Sequence, residues 1–140
     1  MRAVFLDWDT MGPGLDISKL QALLPDLRVF GNTEKNKIAE RIDRAEIVLC
    51  NKVRLNRQVF EACPDMRFAG LMATGTDNVD LDAARDHGVT VANIRGYCTQ
   101  SVAEHVFGCI LNFAHNLGNY SADVRGGAWQ SADNFCLITH

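Results

Sequence analysis

The sequence predicts an α/β domain built on a doubly wound, parallel β-sheet. Two observations lead to that expectation: short apolar runs alternate with amphipathic helical stretches, and the 140 residues suit about one domain. A chain of this length buries roughly two-thirds of its unfolded surface on folding. Its composition, 47% hydrophobic and 22% charged, is that of an ordinary globular protein.

Each apolar run predicts a strand, and the runs occupy residues 3–7, 27–30, 46–50, 66–73 and 89–93. Amphipathic stretches at 16–24, 33–45, 55–63 and 81–88 separate them and predict helices, the last with Gly88 at its C-terminal cap. Such βαβ units form a parallel sheet that is covered on both faces. Right-handed crossovers then favour the flavodoxin-like strand order 2-1-3-4-5.

A long helix is predicted after the fifth strand. Ser101 and Glu104 have the spacing of a capping box, with serine at the N-cap. The helical pattern continues to about Arg125, before Gly126-Gly127 ends it. One face carries its apolar residues, Val102, Val106, Cys109, Ile110, Phe113 and Leu117. The length predicts that part of this helix packs against something outside the sheet.

Charge and cysteine content favour a reduced, cytoplasmic protein without nucleic-acid or membrane partners. The formal net charge is −3, whereas nucleic acids and anionic membranes demand a basic surface. No apolar run approaches the roughly 20 residues that span a bilayer, and residues 1–10 become acidic too soon for a signal peptide. The 5 cysteines are odd in number and form no Cys-x-x-Cys pair, which indicates free thiols. The histidines have no metal-ligand spacing, so no metal is expected.

The loop after the fourth strand, Thr74-Gly75-Thr76, is the strongest candidate site. Open parallel sheets bind ligands beyond the carboxyl ends of their strands, and small side chains let backbone N–H groups hold an anion such as a carboxylate. An ordinary strand-to-helix turn, with Asp77 or Asp80 as the helix cap, explains the same residues. From this loop alone the turn is the simpler interpretation.

Asp7 and Asp9 suggest a different chemistry. Residues 4–10 resemble the nucleophile loop of the haloacid-dehalogenase-like phosphatases, in which the first aspartate attacks phosphorus and the second protonates the leaving group. Met11 stands where that loop has Thr or Val, and the later Lys and acidic pair are missing from suitable loops. A phosphatase is therefore only a distant alternative.

Two longer motifs resemble the NAD(P)-dependent D-2-hydroxyacid dehydrogenase family, within it the glycerate dehydrogenase (hydroxypyruvate reductase) group. Residues 75–80 match the family's Gly-x-Asp/Asn-Asn-hydrophobic-Asp loop, and residues 96–105 match its Gly-Tyr-Ser-Thr-x-Ser-Val-Ala-Glu-His motif. Residues 51–53 and 127–136 are similar to further family segments. Arg95 and Cys98 depart from the family's usual Pro and Ser.

The resemblance implies a substrate site. In the family, backbone amides of the fourth loop hold the carboxylate of a small 2-oxo or 2-hydroxy acid, and the third loop closes over it. The residues carried over for the substrate are Lys52, Val53, Thr74, Gly75, Thr76 and Tyr97. Val102, on the long helix, would line the side of the nicotinamide cofactor.

The resemblance also implies what these residues lack. The family's Rossmann domain, which binds NAD or NADP and carries the orienting arginine and the Glu–His pair, follows this region and is absent here. We therefore expect a substrate-binding domain at residues 1–125, a connector to the missing cofactor domain at 126–140, no catalytic residue, and no turnover by the chain alone. A homodimer is expected. The alternative is a truncated, non-catalytic binding or dimerisation module that uses the helix at 101–125.

Overall fold

The structure is a computed structural model, described here for residues 1–133. The chain divides into two compact units, Met1–Arg95 and a second that begins at Gly96. The first contains a five-stranded sheet of β1 (Ala3–Phe5), β2 (Leu27–Val29), β3 (Ile47–Cys50), β4 (Phe68–Leu71) and β5 (Thr90–Asn93). All neighbouring strands are parallel, in the order β2-β1-β3-β4-β5. The predicted fold class and strand order are confirmed.

The register brings the carboxyl ends of the inner strands to one edge of the sheet. Val4 lies opposite Val48, Val48 opposite Ala69, and Ala69 opposite Val91. Beyond that edge, a parallel bridge joins Leu55 to Val79. The loops that follow β3 and β4 are therefore held side by side.

The helices of this unit are shorter than the sequence predicts. They are α1 (Ser18–Leu23), α2 (Ile38–Ile42), α3 (Arg57–Ala62) and α4 (Leu81–Asp86). Two 3-10 helices, Trp8–Met11 and Lys35–Lys37, take up residues beside them. The turn chemistry explains the boundaries of α4: the Asp80 side chain accepts the Ala83 N–H at 2.8 Å, and Gly88 has φ 68°. The predicted C-terminal role of Gly88 agrees with this positive φ, which glycine adopts at little cost.

The core lies between the inner strands and the helices. Its largest fully buried side chains are Phe5, Phe60, Leu6, Ile42, Leu55 and Leu71. Strands β1, β3 and β4 are almost entirely buried, whereas the edge strands β2 and β5 keep exposed residues. The inner strands are thus covered on both faces, as parallel strands require.

In the second unit, the prediction of one helix to Arg125 is wrong. The structure has α5 (Thr99–Ala114), α6 (Leu117–Arg125) and α7 (Ala128–Ser131). The break falls at Asn116, which has the left-handed φ of 51°. Asparagine tolerates this conformation because its short polar side chain bonds locally. The predicted end at Gly126-Gly127 is correct.

The predicted capping box is also wrong. Helix α5 begins earlier than the motif implies, with Cys98 at the N-cap and no side-chain capping bond. Ser101 therefore lies inside the helix. The carboxylate of Glu104 instead accepts a hydrogen bond from the Gln100 side chain at 2.7 Å, one helical turn earlier.

Helix α5 has no buried residue. Its exposed large side chains include Val106, Ile110 and Phe113, and the last is 90% exposed. Exposed apolar stripes of this kind mark interaction surfaces.

The predicted boundary between the substrate-binding domain and the connector, at residues 125 and 126, stays a prediction, and residues 134–140 of that connector lie outside the described residues. Within residues 1–133, no helix combines the length and apolar character needed to cross a bilayer.

Thiol reactivity should separate the buried from the exposed cysteines. Burial raises the pKa of Cys50 to about 12, with a further contribution from the charge of Asp7, and burial raises the pKa of Cys63 to about 11. Because the thiolate is the reactive form, we expect iodoacetamide to label the exposed Cys109 in native protein at mildly alkaline pH. Cys50 and Cys63 should react only after unfolding. Peptide mass spectrometry checks this, and labelling of Cys50 in native protein as fast as in unfolded protein would contradict it.

Candidate functional site

A buried carboxylate organises the loops at the carboxyl edge of the sheet. Asp7 follows β1 and is only 2% exposed. One carboxylate oxygen accepts the backbone N–H of Asn51 at 2.8 Å, and the other accepts those of Lys52 at 2.5 Å and Val53 at 2.9 Å. Three successive amides around one anion form a nest. The loop after β3 is thus wrapped around a side chain supplied by β1.

The same loop is held through its carbonyl groups from the opposite side. The Asn78 amide donates to the carbonyl oxygens of Asn51 at 3.3 Å and Val53 at 3.0 Å. The buried side chain of Asn51 donates to the carbonyl and hydroxyl oxygens of Thr10. The backbone of Lys52 is therefore fixed while its side chain stays exposed.

The loop after β4 offers free backbone donors. Within residues 1–133, the N–H groups of Thr74, Gly75 and Thr76 donate to no protein acceptor. Their carbonyl groups help to fix the loop, because Thr74 accepts from the Asn93 side chain at 2.7 Å and Thr76 accepts the Val79 N–H at 2.9 Å. The loop is therefore held by its oxygens, and its amides remain available to an anion.

The anion-binding interpretation and the ordinary-turn interpretation of this loop each apply, but to different residues. Asp80 caps α4 as the ordinary-turn interpretation requires, and Asp77 takes no part in that cap. The residues before it, Thr74 to Thr76, are not used in capping. The side chain of Asp77 lies close to Gly75, where an added Cβ would meet its carboxylate oxygen at 2.8 Å.

We call the Asp7 carboxylate and the three backbone N–H groups of residues 51–53 that it accepts the Asp7 clamp. A cationic cleft of about 250 Å³ adjoins this clamp. Lys35, Lys52 and Arg54 all line it, together with Thr10 and Val53. Within the described residues these three cations form no ion pair. The three cations outnumber the one anionic side chain of the lining, Asp7, whose oxygens already accept backbone N–H groups, so the cleft should raise the local concentration of an anionic ligand. Lys35 and Arg54 were not among the predicted site residues, although Arg54 lies in the loop after β3 and Lys35 begins the 3-10 helix that follows β2.

The structure argues against Asp7 as a phosphatase nucleophile. Both of its oxygens are occupied by backbone amides, and the residue is buried. Asp9, the supposed acid, accepts a hydrogen bond from the Asn32 amide at 3.1 Å. Asp7 therefore has a structural partner on the neighbouring loop.

The other two predicted site residues, Tyr97 and Val102, belong to the second compact unit. Their side chains are 67% and 55% exposed. Their roles toward substrate and cofactor stay predictions. On α5, His105 and Cys109 lie one turn apart with the ring Nε2 and the thiol sulfur at 3.6 Å, an exposed pair that the sequence analysis did not single out.

Comparison with known proteins identifies related sequences. The family model described as "D-isomer specific 2-hydroxyacid dehydrogenase, catalytic domain" matches residues 14–136. The chain is 37% identical over 141 residues to a hydroxypyruvate reductase of Blautia hydrogenotrophica, covering 98% of this chain and 44% of that protein. It is 39% identical over 104 residues to a glycerate dehydrogenase of Methylorubrum extorquens, covering 74% of this chain and 33% of that protein.

Among solved structures, an acyclic imino acid reductase in complex with NADPH and D-Arg matches with a TM-score of 0.77. The identity is 22%, and the match covers 91% of this chain and 41% of that one. At this identity the likeness concerns the fold. The chain thus spans less than half the length of these relatives.

Proposed function

Because this chain belongs to the D-isomer specific 2-hydroxyacid dehydrogenase family, matched over residues 14–136, we propose that it is the substrate-binding domain of an oxidoreductase. The whole protein would transfer a hydride between NADH or NADPH and the C2 carbon of a small 2-oxo acid. Hydroxypyruvate is the proposed substrate, in line with the names of the related enzymes, and glyoxylate, a smaller 2-oxo acid, is a second candidate. The observation that carries the proposal is the set of free amides at Thr74, Gly75 and Thr76.

These amides are proposed to bind the substrate carboxylate. N–H groups of Thr74 and Gly75 would donate to its oxygens, with Thr76 adjoining, in charge-assisted hydrogen bonds that are stronger than neutral ones. Gly75 lets the anion approach the main chain because no Cβ stands in the way. A fixed carboxylate leaves the adjacent carbonyl carbon in one orientation, which lowers the entropic cost of the reaction.

The loop of Lys52 and Val53 is proposed to cover the bound acid. Its backbone is pre-set by Asp7 and Asn78, so little ordering remains to be done on binding. The cations of the adjoining cleft, Lys35, Lys52 and Arg54, would attract the anionic substrate.

The remaining assignments rest on family motifs. Tyr97 is proposed to contact the substrate, and the exposed apolar side chain of Val102 fits the face of a nicotinamide ring. The cofactor, NAD or NADP, would supply the hydride when bound. We expect it to be held mainly by the part of the protein that lies outside this chain, so residues 1–140 alone should bind the acid without turnover. The free thiols of Cys50, Cys63, Cys98 and Cys109 support a cytoplasmic location.

A second candidate function is a non-catalytic dimerisation module. The exposed stripe of Val106, Ile110 and Phe113 on α5 favours it. Homodimerisation through this helix is compatible with either function. Strong self-association without binding of any 2-oxo acid would favour the module.

The proposed function is tested by enzyme assay and intact mass together. The freshly purified protein is weighed by mass spectrometry and assayed for NADH- and NADPH-dependent reduction of hydroxypyruvate and glyoxylate. We expect reduction by a chain longer than these residues, and acid binding without reduction by residues 1–140. If no form of the protein reduces or binds either acid, the proposal is rejected.

A further inference from the structure

We propose that Asp7 is the positioning residue for the loop that covers the substrate. Its carboxylate holds the backbone of Lys52 and Val53 in the conformation that receives the acid. This inference rests on the proposed function, because it concerns the same site.

The backbone that carries the Asp7 side chain is held in place by hydrogen bonds. The carbonyl oxygen of Asp7 accepts the N–H of Thr10 at 3.0 Å and the hydroxyl of the same residue at 2.7 Å. The preceding residue, Leu6, donates its N–H to Leu49 at 2.9 Å, which ties this point of the chain to β3. The carboxylate is therefore presented from a fixed point at the end of the sheet.

The loop depends on that carboxylate for its conformation. Residues 51–53 lie between β3 and α3 and belong to neither. Their three N–H groups all turn toward Asp7, so the side chain of Lys52 is left at the surface, where it lines the cationic cleft. A buried charge is costly unless hydrogen bonds surround it, and these amides supply the bonds. They also reduce the repulsion that a bare carboxylate in the cleft wall would exert on an anionic substrate.

The clamp also connects the two proposed substrate loops. Asn78, in the loop after β4, donates to the carbonyl oxygens of Asn51 and Val53. Leu55 continues the link, because its N–H donates to the Asn78 carbonyl at 2.8 Å and its own carbonyl accepts the Asp80 N–H at 2.9 Å. Asn78 holds the carbonyl groups of this loop and Asp7 holds its N–H groups, so release from Asp7 would remove three of the bonds that align the loop with Gly75.

The substitution Asp7→Asn tests this role. A carboxamide has the same shape but one acceptor oxygen, and its NH₂ group opposes at least one backbone N–H. We expect the variant to bind hydroxypyruvate about tenfold or more weakly, as measured by calorimetry on the 140-residue chain. Asp9→Asn is the matched control, because it is the same chemical change two residues further along the chain, at a carboxylate that contacts Asn32 instead. The Asp9→Asn variant should bind hydroxypyruvate within about twofold of the wild type, because surface substitutions usually have small effects.

A spectroscopic readout separates positioning from general destabilisation. In Asp7→Asn, the amide proton resonances of Asn51, Lys52 and Val53 should move upfield, because charge-assisted bonds are lost. Resonances within the sheet, such as that of Val48, should stay in place. If the variant does not fold, hydrogen exchange of the wild-type protein tests whether Asp7 holds the loop. The backbone amides of residues 51–53 should then be protected from exchange. Exchange as fast as in an open loop would overturn the proposal.

The outcomes distinguish this inference from the proposed function. If the wild type binds hydroxypyruvate and Asp7→Asn binds equally well, Asp7 does not position the loop and the proposed function stands. If the wild type shows no binding at all, the proposed function fails and this inference fails with it.

Discussion

Replacing Leu55 by alanine should lower the free energy of unfolding by about 2–5 kcal/mol. Leu55 is 0% exposed and lies at the bridge to Val79, which joins the two loops of the proposed site. Truncation removes buried apolar surface and leaves a cavity that close-packed neighbours fill only in part. The backbone hydrogen bonds of Leu55 do not involve the side chain, so the loss reports packing. Urea unfolding followed by circular dichroism measures it.

Leu23→Ala is the matched control for this change. Leu23 lies on α1 in the same compact unit but is 78% exposed. Its truncation should alter stability by no more than about 0.5 kcal/mol. Equal losses from the two substitutions would contradict the described core.

Replacing Gly75 by valine should weaken the binding of hydroxypyruvate by about tenfold or more, equivalent to about 1.4 kcal/mol. The first atom of a new side chain would meet the Asp77 carboxylate at 2.8 Å and stand beside the amides that are proposed to receive the substrate. Asp77 is exposed and can move, so stability should change little while access to the main chain is lost. Calorimetric titration of the variant measures the effect.

Gly118→Val provides the comparison for Gly75→Val. It lies on α6, and an added Cβ there meets no atom within 4 Å. Its substitution should leave hydroxypyruvate binding unchanged. Equal affinity of Gly75→Val and the wild type would show that the substrate does not approach the main chain at this loop.

The sheet was predictable because buried parallel strands read as uninterrupted apolar runs. Residues 46–50 and 66–73 contain β3 and β4, and the alternation with helices led to the observed strand order. Predicted helices were too long, because hydrophobic periodicity continues into capping turns such as the one ended by Gly88. The periodicity also concealed the break between α5 and α6, where His115 and the left-handed Asn116 separate the two helices without interrupting the apolar spacing.

The candidate site was predictable only in part. The small residues of the fourth loop indicated backbone amides, and the structure leaves those amides free. The partner of Asp7 was not predictable, because its carboxylate contacts amides 44 to 46 positions away. Local patterns carry no information on such long-range contacts. For that reason the sequence suggested that Asp7 could be a nucleophile, whereas in the fold its carboxylate accepts backbone N–H groups of the loop after β3.

The most direct test of the account is an amide titration of the ¹⁵N-labelled chain. Hydroxypyruvate is compared with dihydroxyacetone, which has a neutral hydroxymethyl group in place of the carboxylate. We predict saturable shifts of the Thr74, Gly75 and Thr76 amides with hydroxypyruvate, smaller shifts at Lys52 and Val53, and none with dihydroxyacetone. Unchanged amides at 74–76, or equal responses to both compounds, would contradict a carboxylate-binding loop.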